Sequence, residues 1–212
     1  MRAKRSQVKP SRTSGVPRGD TVARACVLQG AAQVFAEIGV GAASIEDILK
    51  AAGVARRTFY RIYDGKEGVM VALYRMGTDS LLGACTIAVG EGKTPLERVT
   101  GCIDAHLRTA RDFGRLVFVL GGEAHRHESL LHARRREVHD ALMALFAAAT
   151  GGQDGNGQRI DPLLFHALVL ALEGVTRMVL ETGDEGRAVA SESLERARHV
   201  MVHLVRAALA LT

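Results

Sequence analysis

Residues Val54 to Gly68, VARRTFYRIYDGKEG, gather three aromatic rings (Phe59, Tyr60, Tyr63) and four cationic side chains (Arg56, Arg57, Arg61, Lys66) in a chain with only nine Phe and Tyr and no Trp. Adjacent guanidinium groups at the tip of a helix suit guanine edges and phosphate oxygens. Thr58 can bond a phosphate or meet a thymine methyl, and the hydroxyls of Tyr60 and Tyr63 can reach phosphates while their rings pack inward. Lys66 stands in the first turn of the following helix, where free backbone N–H groups also favour an anion. The chemistry on offer is recognition of a polyanion. The charge is distributed accordingly: residues 1–66 carry 12 Lys/Arg against 5 Asp/Glu, and residues 67–212 carry 16 against 18. A basic third on a slightly acidic remainder predicts an N-terminal part that meets nucleic acid. A solvated basic helix with core aromatics is the plain alternative.

The elements that must hold these side chains read as helices. Ala, Leu, Arg and Glu are plentiful and β-branched runs scarce, so the expected fold is all-α. Residues 1–19 have six basic and no acidic residues and two prolines, which predicts a disordered arm, either lying along DNA or simply solvated. Asp20-Thr21 can cap a helix whose apolar positions recur at Val27, Leu28, Ala31, Ala32, Phe35 and Ile38, with Gly39 and Gly41 ending it. Ser44 and Asp47 form a variant capping box that opens Ile45–Ala52. Gly53 ends that helix, and a very short one follows from about Ala55 to Arg61. Two short helices across a glycine turn predict a helix-turn-helix, with the second helix aimed into the major groove. Phe59 and Ile62 then face the core with Phe35, Ile45 and Ile48.

Asp64 caps a longer helix starting near Lys66. Leu96–Arg111, Phe113–Gly122, Glu128–Thr150, Pro162–Glu181 and Ala188–Leu211 read as further helices. Breaks fall at Gly90–Pro95, at GGQDGNGQRID (residues 151–161) and at TGDEGR (residues 182–187). The expected domains are an arm over 1–19, a helix-turn-helix domain over 20–66, and a helical regulatory and dimerisation domain over 67–212.

Ala31 to Tyr74, AAQVFAEIGVGAASIEDILKAAGVARRTFYRIYDGKEGVMVALY, resembles the DNA-binding domain of TetR-family transcriptional repressors. Phe35, Gly39, Ser44, Ile45, Ile48, Ala52, Gly53, Val54, Thr58, Phe59, Tyr60, Tyr63, Lys66 and Glu67 stand where that pattern wants them. One departure is the turn after Tyr60, which in the family reads Tyr-His-Phe or similar and here reads Arg61-Ile62-Tyr63. Arg61 then stands in for a phosphate contact. The resemblance implies a three-helix DNA-binding domain on a larger helical domain, a homodimer on a palindromic double-stranded DNA operator, and release by a small-molecule effector. The DNA-contact candidates are Ser44, Arg56, Arg57, Thr58, Tyr60, Arg61, Tyr63 and Lys66. The resemblance also implies that the last two helices form a four-helix dimer interface. Its candidates are Ala167, Ala171 and Gly174, with Leu170 and Val175 beside them, and Ala197, Met201 and Leu204 on the last helix. The alternative is that both stripes fill the monomer's core.

A pocket in the second domain can draw on Leu107, Phe113, Val117, Phe118, Met143, Phe146, Phe165, His166 and Met178, with His106, His125, His166, Glu173 and Arg177 as polar groups. Leu107, Phe118, His125, Met143, Phe146, His166 and Arg177 are the lining residues expected. Few aromatics and many Leu, Val and Met point to a hydrophobic or amphipathic effector. A second reading keeps a helical carrier or enzyme in which the basic third is an accessory, but the Arg56/Arg57 tip has no role there.

Other signals lead nowhere specific. His127 and His132 are five apart and do not share a helix face, and His125, His132 and His139 share one but are spaced too widely for a single ion. No metal site and no cofactor is expected. The Gly-rich run at 151–158 lacks the Gly-Lys-Ser/Thr end of a phosphate loop, and no Gly-x-Ser-x-Gly occurs. Arg134-Arg135-Arg136 reads as a solvated helix face. The three cysteines Cys26, Cys85 and Cys102 suit small core thiols in a reducing cytoplasm. No apolar stretch of about 18 residues lacks a charge, so no membrane span is expected.

Overall fold

The computed structural model describes residues 18–181 and 191–211; residues 1–17 of the expected arm and the break at 182–187 lie outside them, while Arg18 and Gly19, expected in the arm, belong to the first helix. The described residues form helices α1 (Arg18–Ala42), α2 (Ile45–Ala52), α3 (Arg56–Ile62), α4 (Lys66–Glu91), α5 (Pro95–Phe113), α6 (Arg115–His125), α7 (His132–Thr150), α8 (Pro162–Glu181) and α9 (Ser191–Leu209). The expected element order therefore stands. The helix expected from Glu128 starts at His132 instead, and α1 runs on to Ala42 through a non-helical Gly39 (φ 78°, ψ 164°). Ile38, expected on the inward face of α1, is 51% exposed.

The head is built from local signals. Ser44 Oγ accepts from the Asp47 N–H at 3.1 Å, and Asp47 Oδ2 accepts from the Ser44 N–H at 3.0 Å, closing the capping box of α2. Gly53 takes the left-handed conformation (φ 62°, ψ 30°) and donates its N–H to the Leu49 carbonyl, which turns the chain into α3. Gly30 of α1 faces the end of α2 so closely that a Cβ there would lie 2.6 Å from the Ala52 nitrogen. Phe59, fully buried, pins seven-residue α3 beneath Phe35 and Ile48, and a helix this short holds only by such packing.

Residues 20–66 do not close this core by themselves. Val69, Met70 and Leu73 of α4, Leu116, Leu120 and Ala124 of α6, and Leu131 complete it. A second core lies under α4, α5, α7, α8 and α9, centred on Ile103, Phe146, Leu172, Met201 and Leu209. Cys85 and Cys102 sit in it where α4 meets α5, each thiol donating to the other's carbonyl at 3.8 and 3.7 Å. The bond with Cys102 and burial push the Cys85 thiol well above its ordinary pKa. Thr94, Pro95 and Glu97 start α5 with a second capping box.

Two described helical segments, Gly19–Ala42 and Pro162–Leu180, are long and apolar enough to cross a membrane by length and composition. The first places Val27, Ala31, Val34 and Phe35 in the head core, and the second places Leu168, Val169, Leu172 and Thr176 against the other helices. The remaining face of α8 stays open.

Candidate nucleic-acid interface and internal cavity

The turn at Gly53 sets the tip of α3 beyond the end of α2, and Arg56, Arg57, Tyr60 and Arg61 emerge there exposed, with Thr58 half-buried. Arg56 forms an exposed ion pair with Glu46 of α2, and its guanidinium carbon lies 5.7 Å from the Tyr60 ring centroid. Arg61 pairs with Asp20 at the start of α1. Arg57 makes no ion pair among the described residues.

Three expected contacts are turned elsewhere. Tyr63 is only 7% exposed and its hydroxyl is covered, because the ring packs against Phe59 and under Arg24. The Lys66 ammonium donates to the carbonyls of Val40 (2.8 Å), Ala43 (2.7 Å) and Gly41 (3.4 Å), satisfying the chain end of α1 rather than facing outward. The Ser44 hydroxyl is exposed but occupied by the cap, and its hydrogen bonds hold the Asp47 carboxyl below the usual range.

A cavity of about 140 Å³ lies between α4, α5, α6, α7 and α8. Most of its wall is apolar: Leu73, Leu81, Ala110, Phe113, Val117, Phe118, Leu142, Val169, Leu172 and Leu180 contribute. Phe118, His125 and Arg177 line it as expected, and so do Phe113, Val117, His106 and Glu173. Leu107, Met143, Phe146 and His166 do not. Leu107 is a helical step away from His106 and turns into the second core, where Phe146 is also buried and Met143 packs. The His166 ring stands edge-on to His139 at 6.1 Å, behind the wall. Phe165 belongs to the second core, and Met178 is 60% exposed.

One end of the cavity is polar. Arg135 grips Glu173 with two bonds, Nε to Oε1 at 3.0 Å and Nη2 to Oε2 at 2.6 Å. His139 Nε2 lies 3.3 Å and His125 Nε2 3.7 Å from the same carboxylate. Burial by itself would raise the Glu173 pKa; the bonds with His139 and Arg135 outweigh it and bring it down to about 2. Burial pushes His106 down to about 4, and burial with the nearby Glu173 charge pushes Tyr74 up to about 12. Sequence reasoning missed Tyr74, Thr176 and His139 as lining groups, and it took Arg135 for a solvated residue. Its side chain is 14% exposed, pointing inward while its neighbours Arg134 and Arg136 follow other faces. The available signal was Arg135 and His139 four apart on one face of α7.

Residues 27–73 match the sequence pattern of the bacterial regulatory proteins of the tetR family. These residues form a TetR-family DNA-binding domain. It is 29% identical over 135 residues to an HTH-type transcriptional regulator of Mycobacterium tuberculosis, covering 60% of this chain and 63% of that protein. It is 29% identical over 104 residues to the HTH-type transcriptional repressor KstR2 of Mycolicibacterium smegmatis, covering 49% and 51%. The matched region thus spans less than two thirds of these relatives' length. In fold, the chain resembles the fatty acid degradation regulator FadR from Bacillus halodurans, with TM-score 0.70, 19% identity, and 87% and 96% of the two chains covered. It also resembles SCO4454, a TetR-family regulator from Streptomyces coelicolor, with TM-score 0.70, 19% identity and 89% of each chain covered.

Helices α8 and α9 each leave an apolar face open. On α8, Ala167 and Gly174 are exposed with Leu163, Leu170 and Met178, and Ala171 is half-buried. On α9, Leu204 is 39% and Val200 47% exposed. Ala197 and Met201 lie elsewhere than expected: at 3% and 1% exposure they fill the monomer's own core. With Val205 and Leu209 they recur every four residues and form the inward stripe of α9, and the outward apolar face is the adjacent one.

Proposed function

We propose that this chain is a TetR-family transcriptional repressor that binds a palindromic operator as a homodimer and leaves it when a small molecule occupies the cavity. The observation that carries the reading is the placement of α6. Its Leu116 and Leu120 belong to the core of the head and also line the cavity, and Leu73 of α4 does the same. A guest that spreads the cavity therefore presses on residues that seat the DNA-binding helices. In two-state terms the ligand prefers the shape in which the two heads no longer match successive major grooves. The exposed faces of α8 and α9 supply the surface on which two copies pair, with Leu170, Gly174, Val200 and Leu204 near its middle.

Selection of bound sequences from random duplex DNA tests the reading. An enriched palindrome is the expected result. Binding without enrichment would leave the head as an electrostatic DNA holder and remove the operator from the proposal. At a selected site, Arg56→Ala or Arg57→Ala should weaken binding roughly 10- to 100-fold. Equal weakening on every sequence would make the residue a phosphate contact. Leu170→Glu should convert the dimer to a monomer in sedimentation equilibrium and abolish operator binding with it.

A further inference from the structure

The polar end of the cavity is charge-matched before any ligand arrives. Its one carboxylate, Glu173, is held in a fork by Arg135, and His139 occupies a further acceptor site. An anionic head group would lie against Glu173, and a cationic one would have to displace or crowd Arg135, which stays charged in proteins. Arg177, one turn farther along α8, has its guanidinium 5.2 Å from the Phe118 ring centroid.

Beside this locked pair two polar atoms go unsatisfied. Thr176 is 2% exposed and lines the cavity, and its Oγ1 has no hydrogen-bond partner. The same holds for Nδ1 of His106, which lines the cavity from α5 and feels the Glu173 charge. Both atoms are covered from water in this closed shape. A buried unsatisfied hydroxyl or ring nitrogen is a standing cost to the closed state. A guest that opens the cavity and bonds them removes that cost, and so prefers the open shape.

We propose that the effector is an uncharged, mostly apolar molecule whose single polar group is a hydroxyl, bonded by Thr176 and His106. A hydroxyl both donates and accepts, so it suits the threonine and either tautomer of a neutral imidazole. Burial keeps His106 uncharged at neutral pH, with its pKa down at about 4. The rest of the wall is mostly hydrocarbon: the Thr78 and Thr109 hydroxyls already donate to the carbonyls of Tyr74 and Ala105, and the Arg177 guanidinium lies by Phe118. The volume of about 140 Å³ holds a short chain or a ring before the helices move. This inference rests on the reading of the cavity as the effector site.

Calorimetric titration of the full chain with n-octanol, octanoate and octylammonium, each below its micelle concentration, separates the two ideas. The alcohol should bind at least about tenfold more tightly than either ion. Thr176→Val should weaken the alcohol by about tenfold, and Thr176→Ser, which keeps the hydroxyl, should restore it. Octanoate or octylammonium binding as tightly as the alcohol would overturn the uncharged head group and leave the cavity as an effector site. Octanol binding that ignores both Thr176→Val and His106→Phe would overturn the hydroxyl assignment in the same way. If none of the three binds, the effector reading of the cavity fails, and this inference with it.

Discussion

The head and the cavity use the same pair of groups, an arginine and a carboxylate, to opposite ends. At the tip of α3, Arg56 and Glu46 are both 62% exposed, so water screens the pair and either partner can be exchanged for another ion. At the polar end of the cavity, Arg135 and Glu173 are 14% and 25% exposed and share two short bonds. There neither partner can leave without stranding a charge. Exposed pairs leave their cations open to exchange; the enclosed pair has its charges already matched.

The sharpest way to break this contrast is Arg135→Ala. Loss of one partner leaves Glu173 charged in a partly buried site, and the expected loss of stability is about 3 kcal/mol, the low end of the range for a buried pair because a quarter of the carboxylate still meets solvent. Thermal melting should fall on the order of 10 °C. Replacing both partners with leucine should recover most of that loss. If Arg135→Ala melts no lower than Arg56→Ala, burial does not distinguish the two pairs and the contrast fails.

Acid should attack the cavity before the head. His106 has its pKa lowered from 6.5 to about 4, so below pH 6.5 the unfolded chain takes up a proton that the folded chain refuses until about pH 4. Stability therefore falls as pH drops through that window, by about 3 kcal/mol in all. Glu173, lowered from 4.5 to about 2, carries the loss further as pH falls through that lower window, because its stabilising charge is present only above it. His106→Phe should flatten the upper window and leave the lower one. A wild-type melting temperature that stays level from pH 6.5 to 4 would contradict the burial of the ring.

The head was legible in the sequence because its determinants are local. Ser44 with Asp47, the left-handed Gly53 and the Phe59 to Tyr63 spacing each act within a turn or two of themselves. The cavity was not. Its polar end joins Tyr74, His106, Arg135, His139 and Glu173 from four helices, and periodicity gives the face of a helix without naming its neighbour. Arg135 shows the difficulty: inside a run of three arginines, only the roll of α7 sends the middle one inward. Ala197 and Met201 show it again, since a stripe that meets the core and one that meets a second copy have the same spacing. Tyr63 and Lys66 are intermediate cases, identified correctly as members of the motif but turned inward by packing and by the carbonyls at the end of α1.

Lys66 allows the contrast to be tested inside the head itself. Its ammonium behaves like the enclosed pair, bound to three carbonyls, although it sits beside the exposed arginines. Lys66→Met should cost about 1–2 kcal/mol of stability. The dependence of log affinity for DNA on log salt should keep its slope. A slope shallower by about one, with stability unchanged, would return Lys66 to the phosphate contacts.

The smallest effect expected is at Glu46, and it decides whether the exposed pair is exchangeable. Glu46→Gln removes the partner of Arg56 without shortening the side chain or disturbing the cap made by Ser44 and Asp47. If Arg56 gives up Glu46 for a phosphate when DNA arrives, the variant begins with that step already made and with one less negative charge facing the duplex. Affinity should then rise a few-fold, as expected for one charge at a screened surface. The salt slope should not change, because the same cations meet phosphates in both proteins. Melting should not move, since an exposed pair holds little. A lower melting temperature together with weaker DNA binding would mean that the pair fixes α3 on α2, and the tip would then share the locked character of the cavity. A slope steeper by about one would mean that Arg56 stays on Glu46 in the wild-type complex, which leaves Arg57 and Arg61 to meet the DNA.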